Sequence, residues 1–506
     1  MFLKTEQPHP FWSIHREELA ALERGEIPRF TMAADSRSLE TGSEPREEVF
    51  AASPIEHAAE RIRGLDPENR ERQATLVRLS LQAQAPRPSS GGSEADDPGA
   101  PEAGYLAFAE ESLRIAERLQ ELAIEAPDGG LAWIGHSVDD ESGRTWLRPL
   151  GLDLYGGQSG LGVFFSAMTW VTADPLFREV ALGALSPVLA SLRECPEAVV
   201  RETGIGGATG CGSIIYALVT CARLLREPDL LRAAQRAAAT LTRERVEADR
   251  ELDVVAGAAG AALGLLSLHE AMGGEETLVR ALWCGERLLE RRCQTSAGFR
   301  AWTSHSEQPL TGFSHGAAGI AFALARLSEA SGRSDFLEAA REAVAYEDAL
   351  FSVEEANWPD LRPHPPASGG VLSSWCHGAS GIGLARLGGL DVLDTPRVRA
   401  DIEAAMRTTR AVGRGSVDQL CCGALGRVEA LHVGGGLLSR PDLDEAAREL
   451  AASVLASRLR SGFRLAPGVD SVDYAPGFFQ GLSGIGYQLL RLAQPELPTV
   501  LLFEPS

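Results

Sequence analysis

One motif recurs seven times along this chain. A Gly-x-x-Gly turn occurs at Gly157/Gly160, Gly207/Gly210, Gly257/Gly260, Gly316/Gly319, Gly378/Gly381, Gly423/Gly426 and Gly481/Gly484, spaced 45 to 62 residues apart. An apolar stretch with helical spacing follows each turn, as in Ile320, Ala323, Leu324 and Leu327. Amphipathic segments such as Phe336 to Leu350 and Asp442 to Leu459 lie between the copies. The unit is therefore a helical hairpin with an apolar inner helix and an amphipathic outer helix. Seven such units can stack as an open solenoid or close into a ring. We expect closure, giving an all-α fold: a seven-fold α/α toroid with inner and outer layers and a short, mainly helical N-terminal piece. Glycines at the inner-helix starts let backbones crowd together at one end of the ring. Polar residues just before each turn then project into a shared mouth.

Composition agrees with packed helices. Hydrophobic residues make up 44% of the 506, and aromatics only 6%, which suits a large helical core. The net charge of −22 argues against a general nucleic-acid surface. The N-terminus, Met1 to Glu6, has no apolar signal core. The run from Val254 to Leu268 is interrupted by Gly257, Gly260 and Gly264 and is too short to span a bilayer. Eight cysteines, two of them adjacent, do not form a disulfide framework. A reducing cytoplasm with free thiols is the expected setting.

Three segments are expected. Residues 83–104 are rich in Pro, Gly, Ser and Asp and read as a disordered linker. They separate an N-terminal piece, 1–82, from a large repetitive domain, 105–506. The small piece carries helical segments near Glu17–Arg24 and from Ile55 to about Gln82. It is too short for a robust core of its own, so loose packing or docking on the large domain is expected.

The position before each glycine turn changes character along the chain. It reads Gly156, Gly206, Ala256, His315, His377, Cys422 and Gln480. Cys376 precedes His377, and Cys421 precedes Cys422. Three thiols at matching points of two consecutive repeats can meet at one metal. Soft ligands in a reducing setting favour Zn2+, and a three-thiolate site leaves a fourth position for another thiol. Cys195, Cys211, Cys221, Cys284 and Cys293 form no such cluster and read as buried core thiols. Asp253, just before the third turn, reads either as a helix cap or as an acid facing the mouth near His315.

These motifs resemble those of lanthipeptide cyclases, the LanC-like zinc proteins. The carriers are Asp253-Val-Val-Ala-Gly-Ala-Ala-Gly, Ser314-His315-Gly-Ala-Ala-Gly-Ile, Ser374-Trp375-Cys376-His377-Gly, Cys421-Cys422-Gly and Gly477-Phe-Phe-Gln-Gly-Leu-Ser-Gly. The resemblance covers residues from about 105 to 506. Asn357-Trp358-Pro359-Asp360-Leu361-Arg362 looks like the class II (LanM) form. The resemblance implies zinc held by Cys376, Cys421 and Cys422, as in the class II subgroup with three cysteines where the commoner set has His at the position of Cys422. It also implies Michael addition of peptide cysteines to dehydroalanine or dehydrobutyrine. His315 is then the candidate acid, Asp253 its orienting partner, and His377 a support for proton transfer. The segment with Phe30-Thr31 and Asp35-Ser36 is similar to the tail of a class II dehydratase domain. The upstream catalytic parts of such a domain are absent from this sequence. The expected partners are therefore a dehydrated precursor peptide and a separate dehydratase, the chain being a fragment, a truncated frame or half of a split pair.

Two other activities share these residues: intermolecular addition of a glutathione-like thiol to dehydrated residues, and a non-catalytic, zinc-stabilised peptide scaffold. A carbohydrate-cleaving toroid would need paired carboxylates at the mouth, and only Asp253 stands there.

Overall fold

The computed structural model describes residues 15–27, 29–40, 50–65, 67, 70, 73, 74, 77 and 104–504, apart from 127–128, 139–144, 296–297, 305, 363–371 and 466–474. The chain divides into two compact units, Met1–Leu81 and Gln82–Ser506. The smaller unit contains helices His15–Glu23 and Pro54–Arg63. Ser53 and Glu56 cap the second helix reciprocally. The expected linker, up to residue 103, and most of the predicted helical continuation towards Gln82 lie outside the described residues.

In the larger unit, seven inner helices form a closed ring. They are Gln158–Thr172, Cys211–Leu225, Ala258–Met272, Ala317–Ser331, Ala379–Gly388, Ala424–Leu438 and Leu482–Ala493. Each packs on the next, and the seventh packs back on the first. Inner helices are apolar nearly all round: in Cys211–Leu225 only Arg223 is not buried. Outer helices bury one stripe. Asp229–Ala239 buries Leu230, Ala233, Ala234, Ala237 and Ala238, the spacing that places side chains on one helical face.

Six outer helices follow their inner partners in sequence: Pro175–Glu194, Asp229–Ala239, Glu275–Glu290, Ser334–Leu350, Pro396–Val412 and Pro441–Ser461. The seventh does not. The last inner helix is covered by Tyr105–Glu121, from the start of the unit. Phe108, Ile115 and Leu119 of this helix are buried. The Ser112 hydroxyl donates to the Gly486 carbonyl at 2.9 Å. The two ends of the unit are thus stapled into one hairpin.

The centre of the ring is filled by the C-terminal tail, where Val500, Leu501, Leu502 and Phe503 are buried. Side chains from three separate repeats donate to tail carbonyls: Tyr216 to Glu504 (3.0 Å), Trp375 to Leu501 (3.2 Å) and Tyr487 to Pro498 (2.8 Å). Strands are limited to three antiparallel two-stranded ribbons among the described residues. One described helix, Pro175–Glu194, is long and apolar enough to cross a membrane by length and composition. It exceeds the Val254–Leu268 run singled out in the sequence, and here it is the outer helix of the first hairpin, with Phe177, Val180, Leu185 and Leu192 buried.

The second repeat is in a different register from the sequence reading. Its inner helix begins after Gly210, not Gly207. Thr209, rather than Gly206, therefore occupies the position before the turn. The chain passes through two close glycines there, and spacing alone could not rank them. Glycine is required where the turns meet the ring. A Cβ on Gly381 would lie 2.0 Å from the Trp375 carbonyl oxygen.

Charge is also buried, both between the layers and within the inner one. Glu347 pairs with Arg386 at 2.8 Å, and Glu429 with Arg491 at 2.9 Å, all nearly inaccessible. Burial pushes the Asp401 carboxyl up to about 7, reinforced by a hydrogen bond shared with Asp348 and opposed by Arg386 and Arg397.

Two stability outcomes follow from this packing. Phe108→Ala should cost about 3–5 kcal/mol in denaturant unfolding, the usual loss for truncating a buried aromatic. Asp401 holds its proton more tightly folded than unfolded, so wild type should lose stability as pH rises from about 4 to about 7. Thermal melts of Asp401→Asn across that window should show a flatter profile.

Candidate metal centre and proton-transfer pair

The site is built from the residues just before the inner helices. These seven segments bond to one another around the mouth. The N–H of Tyr155 donates to Ala208, Ala208 to Val255, Val254 to Ser314, Ser314 to Cys376, Cys376 to Cys421, Cys421 to Phe479, and Phe479 back to Tyr155. The N···O distances run from 2.8 to 3.3 Å. The cycle sets Tyr155, Ala208, Ser314, Cys376, Cys421 and Phe479 at one level, and His315, His377, Cys422, Gln480, Gly156, Thr209 and Ala256 at the next.

Cys376 and Cys421 are thereby neighbours in the ring, and Cys422 follows directly. The Cys376 and Cys422 sulfurs are 3.4 Å apart, the Cys421 and Cys422 sulfurs 3.6 Å, and all three lie within 4.8 Å of one another. The Ser374 hydroxyl is 3.2 Å from the Cys376 sulfur. Hydrogen bonds from Cys421 and Cys422 hold the Cys376 thiol well below its usual range, while the bond to Cys376 pushes the other two thiols up. A bound cation would favour ionisation of all three. The donor set suits it: a tetrahedral zinc with bonds of about 2.3 Å places its sulfurs roughly 3.8 Å apart, close to the spacing present. Among the other cysteines, Cys211, Cys221 and Cys284 are buried as expected, but Cys195 is exposed and Cys293 is partly exposed. Cys195 ends an outer helix, where no inner layer covers it.

The second element is Asp253 with His315. Asp253 is fully buried, and its Oδ2 lies 2.6 Å from His315 Nδ1. Its Oδ1 accepts the amides of Ala256 (2.8 Å) and Gly257 (3.2 Å). With two donors on one oxygen, the carboxylate is set to accept the imidazole Nδ1–H on the other. Asp253 therefore serves as helix cap and histidine partner together. Leu252, just before it, adopts a left-handed φ of 61°, uncommon for a non-glycine residue. The Asp249 carboxylate holds that conformation by accepting the Leu252 amide at 3.0 Å. The His315 side chain is 27% exposed, so it opens onto the mouth.

His377 is buried, and its ring centre lies 6.2 Å from that of His315. Burial lowers its pKa, against the pull of Cys376. The six residues singled out in the sequence thus meet across four consecutive repeats, the third to the sixth.

Other residues reach this centre without having been assigned a role from sequence. Tyr155 stacks on Phe479 with ring centres 5.0 Å apart. Its hydroxyl bonds Cys421, and burial together with the nearby thiols pushes its pKa well up. Aligning the repeats two positions before each turn would have found it, because it occupies the place of Cys376 and Cys421. Arg362 grips Asp360 through bonds of 2.6 to 3.1 Å, and its charge acts on Cys376 and Cys422. The sequence marks that segment only as a motif.

Comparison with known proteins agrees with this architecture. The profile described as "Lanthionine synthetase C-like protein" matches residues 148–503. No curated protein sequence matches the chain. Among solved structures, nisin cyclase superposes with a TM-score of 0.55 at 16% identity, covering 70% of this chain and 92% of that one. This likeness shows the toroid fold. An unsaturated glucuronyl hydrolase from Bacillus sp. GL1 gives a TM-score of 0.41 at 18% identity over 71% and 98% of the two chains, too low to carry an argument. The profile match spans well over half of the chain, on the same residues that build the ring and its mouth: this protein belongs to the lanthionine synthetase C-like family.

Proposed function

We propose that this chain is a zinc-dependent lanthipeptide cyclase. It adds cysteine thiols of a dehydrated precursor peptide to dehydroalanine or dehydrobutyrine of the same peptide, closing (methyl)lanthionine rings. The observation that carries this reading is the convergence of three thiols and the Asp253–His315 pair at one mouth. Among the described residues, Cys376, Cys421 and Cys422 form the cluster with metal-ligand geometry.

Zinc held by these sulfurs would lower the pKa of a substrate thiol and keep its thiolate beside the alkene. The chain's own groups carry the remaining steps. Attack at the β-carbon forms the carbon–sulfur bond and moves the alkene electrons towards the carbonyl, giving an enolate. His315, oriented at Nδ1 by Asp253, delivers a proton from Nε2 to the α-carbon. The proton lost from the thiol balances the one gained at carbon, so no oxidant or reductant is needed. His377 supports this transfer from beside Cys376. Arg362, braced by Asp360, offsets part of the negative charge of three thiolates. That charge would make a bound substrate thiolate more nucleophilic, and the cysteine pattern resembles that of the three-cysteine class II subgroup.

We also infer that residues 1–82 are the tail of a class II dehydratase domain and 105–506 the cyclase. The unit boundary at Leu81 supports this division, as does the Pro54–Arg63 helix, which buries no residue and leaves Ile55 and Ile62 exposed. Its substrate must then come from a dehydration reaction on serine or threonine. The eight free cysteines are consistent with the cytoplasm.

Cobalt(II) titration should show one ion per chain with thiolate charge-transfer absorption, lost or weakened in Cys376→Ala, Cys421→Ala and Cys422→Ala but kept in Cys284→Ala. No binding by reduced protein would remove the metal from the proposal. With a dehydrated peptide, wild type should consume free thiols without added glutathione. His315→Asn should keep cobalt binding and lose roughly 10²–10⁴-fold in turnover, with a smaller loss for Asp253→Asn. Metal binding without thiol consumption would favour the scaffold, and consumption only of added glutathione would favour intermolecular addition.

A further inference from the structure

The fourth outer helix, Ser334–Leu350, sends one fully buried carboxylate towards the ring, that of Glu347. Its Oε1 accepts the amides of Gly312 and Ala318, each at 3.0 Å. Those two residues bracket His315. Its Oε2 accepts from Arg386 Nη2 at 2.8 Å. Arg386, itself 1% exposed, lies on the inner helix that starts just after Cys376 and His377. The opposite face of the His315 turn rests on the thiol repeat. Gly312 has φ of 104°, and a Cβ there would sit 2.6 Å from the Cys376 carbonyl oxygen. The Ser314 amide and hydroxyl both donate to that same carbonyl, at 3.3 and 3.2 Å.

We propose that Glu347 and Arg386 are a positioning pair that sets His315 at its working place relative to the three thiols. The proposal rests on the reading of His315 as proton donor. Glu347 clasps both ends of the turn that carries His315, and Arg386 ties that clasp to the helix rooted at Cys376. Neither side chain touches the reacting atoms. A carboxylate is required because one oxygen must take two amides while the other meets a guanidinium. Glutamine retains the first contact and turns an NH2 group, or loses an amide acceptor, against the second.

Glu347→Gln in the full chain tests this. It should bind cobalt(II) at one ion per chain with the wild-type spectrum, because the thiols are not moved. With a dehydrated peptide its kcat should fall by roughly 10- to 100-fold at near-unchanged KM, the scale of loss from about 1 Å of misplacement. The His315 imidazole resonances, read by histidine-selective 15N labelling, should shift. Arg386→Gln should behave alike, and Arg386→Lys, which keeps the charge, should recover part of the rate. Wild-type kcat and unmoved His315 resonances in both Gln variants would overturn the proposal. So would an altered cobalt spectrum or unfolding of both, which would make the pair a support of the whole core. If wild type itself consumes no thiol, the cyclase reading fails, while the resonances and cobalt spectra still decide the positioning role.

Discussion

The closed cycle of backbone hydrogen bonds around the mouth is the constraint on which this structure depends. Each pre-turn segment donates to the next, and the last returns to the first between Phe479 and Tyr155. Hydrogen-bonded backbones hold their neighbours at a set spacing and register. Cys376 and Cys421 meet because one donates its amide to the carbonyl of the other. Slipping either thiol-bearing segment by one residue would replace a sulfur by a neighbour and dismantle the centre. The crowding that allows such close approach explains why glycines follow these segments. At Gly381 a methyl group would collide with the carbonyl of Trp375.

A ring of helix N-termini raises a second problem. Each inner helix begins with a glycine cap that supplies no side-chain acceptor, yet helix-start amides need partners. Carboxylates accept some of these amides and others in the segments just before the helices. Asp249 takes the amides of Leu252 and Ala258, Asp253 those of Ala256 and Gly257, and Glu347 those of Gly312 and Ala318. Asp253 then has a second oxygen left for His315. The Asp253–His315 pair is therefore an extension of this scheme, and its rigidity comes from the scaffold. Arg386 supplies the counter-charge that makes burial of Glu347 tolerable, since an unpaired carboxylate in such a place is strongly disfavoured.

Family membership and site chemistry enter at different levels. The profile match and the toroid place the chain among lanthionine synthetase C-like proteins. The thiol cluster, the imidazole beside it and the arginine at its edge say what such a mouth can do. Three thiols within 4.8 Å of one another form a centre suited to a soft cation. An imidazole fixed at one nitrogen suits it to give up a proton at the other.

Much of this was legible in the sequence because helical packing repeats. The seven glycine turns, the apolar run after each and the change from small residues to His, His and Cys before them are local patterns. They determine hairpins, an inner layer and a candidate set of chemical residues. Register in the second repeat was not legible, because Gly207 and Gly210 offer two starts and only hydrogen bonding to Val255 distinguishes them. Pairing of Tyr105–Glu121 with Leu482–Ala493 was also hidden, since it joins elements more than 350 residues apart. So was Glu347 behind His315, which reaches the site from the outer layer, whereas Tyr155 shares the repeat position of Cys376 and Cys421 and could have been read from it. The sequence by itself determined which residues could carry chemistry and which helices would be inner. Closure of the ring, a long-range event set by packing and backbone bonding, decided which of them face one another.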